Sequence, residues 1–209
     1  SSAASDVYKR QRNTQRAQQI IQTTGIINAW KSIGAEINLV GSLKMGLMMK
    51  HRDIDFHVYT PRLTPAISFQ AIMQLAANPA IKRIEYKNLI DTDEHCIEWH
   101  AWYEDSDHEL WQIDMIHILK GSYYDGYFEQ VAERILAVLT PEIRETILRL
   151  KYETPDTEEI MGIEYYQAVI QDGIHDYAAF QNWRKTHPAN GIIDLSLIHI
   201  SEPTRPRLI

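Results

Sequence analysis

The chain of 209 residues carries 21 Lys and Arg against 28 Asp and Glu, a formal charge of −7 that argues against generic binding of phosphate backbones. Cys96 is the only cysteine, which excludes an intrachain disulfide and leads us to expect a reducing cytoplasm. No apolar run reaches membrane length, and the length suits one domain or a domain with a helical appendage. Residues 13–32 alternate polar and apolar at helical spacing, which predicts a helix with Ile20, Ile21, Ile27 and Trp30 in the core and Gly34 as its stop. AEINLV (35–40) predicts a short buried strand ending at Gly41, then a brief helix through Leu47 and Met48 and a strand at 53–59. PAISFQAIMQLAA (65–77) predicts a helix that stops at Asn78-Pro79. Strand-like runs at 81–88, 96–103 and 110–118 are joined by the acidic turns DTDE and EDSDHE, which predicts antiparallel hairpins. After Gly121 the pattern is helical: 126–139, then 141–152 with Thr140 as cap and Pro141 at the first position, then 162–171 and 176–186. The expected fold class is α+β, a mixed sheet with a helix on its face followed by a C-terminal helical region.

The stretch GSLKMGLMMKHRDIDFHVYT (41–60) carries the chemistry. Side chains at i and i+2 point to one side of a strand, so Asp53, Asp55 and His57 share a face while Ile54, Phe56 and Val58 fill the other. Two carboxylates this close repel unless a proton or a cation intervenes. Mg²⁺, held by carboxylates together with substrate phosphates, is the usual resolution. Gly41 and Ser42, at the end of one strand and the start of a short helix, offer backbone N–H groups and a hydroxyl to a phosphate. A buried aspartate in a β-prone run needs a partner, and WQIDMIHI supplies Asp114 as a third carboxylate for a two-metal site. The bland alternatives are a solvated acidic edge strand for Asp53 and Asp55, and a hydrogen-bonded core aspartate for Asp114.

Gly41-Ser42, three residues, Gly46, six residues and then Asp53-Ile54-Asp55, with a carboxylate on a later strand, resembles the nucleotidyltransferase signature of the DNA polymerase β-like superfamily. The resemblance covers about residues 35–118. It implies a metal-dependent enzyme that transfers a nucleoside monophosphate from a nucleoside triphosphate to a hydroxyl acceptor and releases pyrophosphate. Asp53, Asp55 and Asp114 would hold the metal, with two Mg²⁺ ions when nucleotide is bound, and Gly41 and Ser42 would contact the phosphates. Arg52 and Lys50 are candidate nucleotide-binding cations, with solvation in a loop as the plainer reading. Small bacterial members often place serine where Arg52 stands, and the string HRDIDF is similar to the lincosamide and aminoglycoside nucleotidyltransferases. That string, with the acidity of the chain, favours a small hydroxylated acceptor over nucleic acid. Alternatives are toxin-type modification of protein or tRNA, and an inactive nucleotidyltransferase-like binding module.

Glu98 and His100 share a strand face and are candidates for the acceptor side, although ordinary cross-strand polar pairing is the favoured reading. Trp99, Trp102 and Trp111 read as core or substrate wall, Met45, Met48 and Met49 as packing, and Tyr165 and Tyr166 as helix core. SSAASDVYKRQ (1–11) and LSLIHISEPTR (195–205) resemble in-frame translations of sequencing adapters, so 1–11 and 195–209 are expected to lie outside the natural domain. The expected division is then a nucleotidyltransferase core at 12–121 and a truncated helical region at 122–194, with the natural gene continuing at both ends.

Overall fold

The computed structural model describes residues 3–188. The segment 195–209, expected to be foreign to the domain, lies outside them. Two compact units divide between Ala132 and Glu133.

The first unit opens with α1 (Ala3–Thr24) and α2 (Ile26–Lys31), then β1 (Glu36–Val40), α3 (Gly41–Met45) and β2 (Asp53–Thr60). The helix α4 (Pro65–Ala76) is followed by β3 (Ile81–Leu89), β4 (Cys96–Glu104) and β5 (Leu110–Leu119). α4 starts where the sequence says it should: the Thr64 hydroxyl accepts from the Ile67 N–H at 3.3 Å and Pro65 takes the first position. The five strands lie in the order β1-β2-β5-β4-β3. β3, β4 and β5 form the expected antiparallel hairpins, β1 pairs antiparallel with β2, and β2 runs parallel to β5.

One face of the sheet is apolar and carries the core. Ile54, Phe56 and Val58 from β2, Trp111, Ile113 and Met115 from β5, and Trp99 from β4 join Ile20, Trp30, Ile72 and Leu75 from the helices in one buried cluster. Three expectations are corrected. Ile27 is 36 % exposed and Ile26 is fully buried in its place. Gly25, at φ 65°, ends α1 and resets the helical phase, so a single period carried through 13–32 selects the wrong isoleucine. The short helix after β1 stops at Met45, and Leu47 and Met48 are buried in the loop beyond it. β1 is half-buried rather than buried, because it is an edge strand paired on one side only.

A one-way chain of hydrogen bonds crosses this core. Trp99 Nε1 donates to Ser68 Oγ at 2.7 Å, and the Thr60 hydroxyl donates to the Arg62 carbonyl at 2.7 Å. His117 sits between them, with Nδ1 3.0 Å from Ser68 Oγ and Nε2 2.7 Å from Thr60 Oγ1. Each oxygen is satisfied when His117 carries its proton on Nε2 and accepts from Ser68 on Nδ1, which is the neutral ring. Burial pushes His117, and likewise His57, down to about 4. In the unfolded chain these rings bind protons near the ordinary histidine value, so stability is full above about pH 6.5 and is lost as pH falls towards 4. The expected loss is on the order of 3 kcal/mol per ring. Urea midpoints at pH 7 and pH 4.5 check this, and equal midpoints would show that the rings are not held neutral.

α5 (Tyr127–Val138) spans the division between the units, and its first turn belongs with the sheet. There Tyr59 Oη donates to Glu129, and the Phe128 ring packs edge-on against His57 at 4.5 Å. The second unit contains α6 (Pro141–Glu153), α7 (Gly162–Tyr166), which runs on as a π-helical turn over Gln167–Gln171, and α8 (Tyr177–Thr186). Thr140 caps α6 at the Ile143 N–H, with Pro141 following, as expected. Tyr165 is buried and stacks on Phe180 at 4.8 Å, consistent with the helix-core reading. Among the described residues no helix is long and apolar enough to cross a membrane.

Candidate active site

The sheet face opposite α1, α2 and α4 is polar around the start of β2. Asp53 and Asp55 lie half-buried on it at the start of β2. In the parallel β2–β5 ladder Asp55 is opposite Asp114 and Asp53 is opposite Gln112. Side chains opposite one another in a ladder share a face, so the three carboxylates converge on one surface while Trp111, Ile113 and Met115 turn to the core.

The other wall is β1 and the turn that follows it. Val40 is opposite Asp55, and Gly41 comes next at φ 70°. A Cβ on Gly41 would lie 2.1 Å from Asp55 Oδ2 and 2.8 Å from its Cγ, so only the bare backbone fits against this carboxylate. Gly41 and Ser42 are thereby held at the edge of the acidic surface. Arg52 enters β2 with its Nε donating to the Leu110 carbonyl at 3.0 Å, and its own carbonyl accepts from the Gln112 N–H at 2.8 Å. It therefore ties the entry of β2 to the entry of β5. Lys50 is half-buried in the preceding loop, and Lys44 is exposed on α3.

β4 completes the far side. His100 is opposite Asp114, and its Nδ1 lies 2.5 Å from Asp114 Oδ1. Its Nε2 is 3.4 Å from Glu98 Oε2, and Glu98 pairs with Lys87 at 3.3 Å. The hydrogen bond to Asp114 raises His100 above the ordinary histidine value against the opposing effect of burial. Gln112 donates its Nε2 to Asp114 Oδ1 at 2.9 Å and reaches Oδ2 at 3.2 Å. Strand parity alone puts Gln112 on the Asp114 face, and its rotamer in the packed sheet makes it a partner of the carboxylate. Trp102 is half-buried under the Arg83 guanidinium, 3.6 Å from the ring centre. Two carboxylates in register and a third on the same face, all half-buried, form a hard oxygen donor set that suits Mg²⁺. At the start of β4, ligand atoms of Glu94, Cys96 and Glu98 lie within 4.8 Å of one another, and burial pushes the Cys96 thiol up to about 12.

Solved structures of the Cid1 poly(U) polymerase share this architecture. One with MgGTP bound has a TM-score of 0.55 and 15 % identity, covering 76 % of this chain and 49 % of that one. A second, described in terms of RNA terminal uridylyl transferase activity, has a TM-score of 0.55 and 15 % identity, covering 78 % and 48 %. A third has a TM-score of 0.53 and 18 % identity, covering 78 % and 50 %. The fold is the α+β nucleotidyltransferase fold. The chain spans about half the length of these solved structures. No family model and no curated protein matches it.

Proposed function

We propose that the chain is a metal-dependent nucleotidyltransferase of the polymerase β-like type, transferring a nucleoside monophosphate from a nucleoside triphosphate to an acceptor hydroxyl. The observation that carries this reading is the Asp55–Asp114 register pair with the Gly41 backbone pressed against Asp55. Asp53, Asp55 and Asp114 are the residues that would hold Mg²⁺, one or two ions. When bound, such ions neutralise charge on the α-phosphate and lower the pKa of the attacking hydroxyl. Gly41 and Ser42 bind the phosphates from the β1 side, with Lys50 and Arg52 as candidate cations in the loop that enters β2. Asp114 stands on the other side, towards β4, beside the acceptor hydroxyl, whose proton passes to water as the new bond forms. The acceptor oxygen bonds to the α-phosphorus, the bond from that phosphorus to the bridging oxygen breaks, and pyrophosphate leaves. Glu98 and His100 line the acceptor side beyond Asp114.

A small hydroxylated acceptor is our first reading, supported by the charge of −7 and by the antibiotic-type string HRDIDF. An RNA 3′ end is the second, supported by the activity named for the Cid1 structures. Each of the four α-labelled triphosphates, incubated with Mg²⁺ and either a hydroxylated small-molecule panel or short RNAs, separates them. Label entering a small product supports the first reading, and elongated RNA supports the second. Absence of pyrophosphate release under all conditions would leave a binding module and refute the enzyme.

A further inference from the structure

We infer that His100 is a positioning residue that locks the Asp114 carboxylate for metal binding. The inference deepens the proposed function and rests on it for the role of Asp114. Asp55 and Asp114 are like charges directly opposite each other, an arrangement that disfavours both carboxylates facing the shared surface. A free aspartate on a strand would relieve this by rotating away. Asp114 is instead held from two directions. Gln112 reaches it along β5, and His100 reaches it across the β4–β5 ladder.

An ionised carboxylate only accepts, so His100 Nδ1 carries the proton in the 2.5 Å contact with Oδ1. Oδ1 thus receives two donors, at 2.5 and 2.9 Å, while Oδ2 receives one at 3.2 Å. The less engaged oxygen, Oδ2, is the one with capacity left for a cation. The far nitrogen of the imidazole, Nε2, lies 3.4 Å from Glu98 Oε2, and Glu98 is opposite Lys87 in the β3–β4 register and paired with it. A row of polar side chains therefore crosses three strands, Lys87, Glu98, His100 and Asp114, and terminates on the carboxylate. Partners of this kind, one step behind a metal ligand, usually set its orientation at a cost of 10- to 100-fold in metal affinity when lost.

The test uses Mn²⁺ alone, titrated into the full chain without nucleotide and followed by the paramagnetic signal of the free ion. His100→Ala is expected to weaken Mn²⁺ binding by about tenfold or more. His100→Asn, whose amide N–H can occupy the position of Nδ1, is expected to bind close to wild type. His100→Gln, whose amide reaches the Nε2 position beside Glu98, is expected to behave like the alanine variant. A fold defect would not sort asparagine from glutamine in this way. Equal Mn²⁺ affinity in His100→Ala and wild type, or no advantage of asparagine over alanine, would overturn the inference. Asp55→Asn separates the two layers. If it abolishes Mn²⁺ binding while His100→Ala does not, the positioning role alone is lost. If wild type binds no Mn²⁺, or binds it regardless of Asp55, the metal-site reading fails and the inference fails with it.

Discussion

Asp55→Asn is expected to abolish nucleotidyl transfer, by about a thousandfold or more, while the melting temperature stays at or above that of wild type. The magnitude follows from position. Asp55 is the carboxylate flanked on both sides by the proposed machinery, with Gly41 against its Oδ2 and Asp114 opposite in the ladder. Removing its charge removes a metal ligand, a larger loss than a single charge-stabilising donor. The fold should not suffer, because asparagine keeps the shape and relieves a repulsion between opposed carboxylates. Label transfer and thermal melts on one preparation check both halves. Substantial residual transfer would remove Asp55 from the site, and a fall in melting temperature would show that its carboxylate is structural.

Gly41→Ala is expected to cost about 1–3 kcal/mol of stability and about a hundredfold in activity. Two causes add. The residue sits at φ 70°, a conformation that strains any side chain, and the new methyl would lie 2.1 Å from Asp55 Oδ2. The clash is relieved only if the Asp55 carboxylate or the β1–α3 turn shifts, and a shift near 1 Å misplaces reacting groups enough for that loss. A cycle with Asp55→Ala apportions the two effects. Without the Asp55 carboxylate most of the steric part disappears and the backbone strain remains, so the two substitutions should be strongly non-additive in stability. Additive costs would mean that Gly41 and Asp55 do not touch. An active and fully stable Gly41→Ala would refute the close approach altogether.

What the sequence by itself determined is what strand parity, helical period and turn chemistry encode locally. The alternation in DIDFHV is enough to place Asp53, Asp55 and His57 on one face, because a strand repeats every two residues whatever it pairs with. Thr64-Pro65 and Thr140-Pro141 mark helix starts because cap and first-turn preferences are satisfied within four residues. The short acidic turns made β3, β4 and β5 antiparallel neighbours, since a short connection cannot return a strand parallel. Locality also explains the errors. Ile27 faces water because Gly25 breaks the helical period, and the apolar residues beyond Gly46 resemble a helix face although α3 ends at Met45.

The tertiary structure decided the rest. That β5 lies beside β2, with Asp114 opposite Asp55, depends on a parallel pairing between strands that α4, β3 and β4 separate in the chain. The contact of Gly41 with Asp55 follows from the register of β1, and the hold of His100 and Gln112 on Asp114 follows from the register of β4 and the side-chain rotamers. A register is set by how the whole apolar face packs against α1, α2 and α4, and slipping it by one residue would turn every side chain of the strand over. The residue types of the site are therefore legible along the chain, while their convergence is a property of the packed sheet.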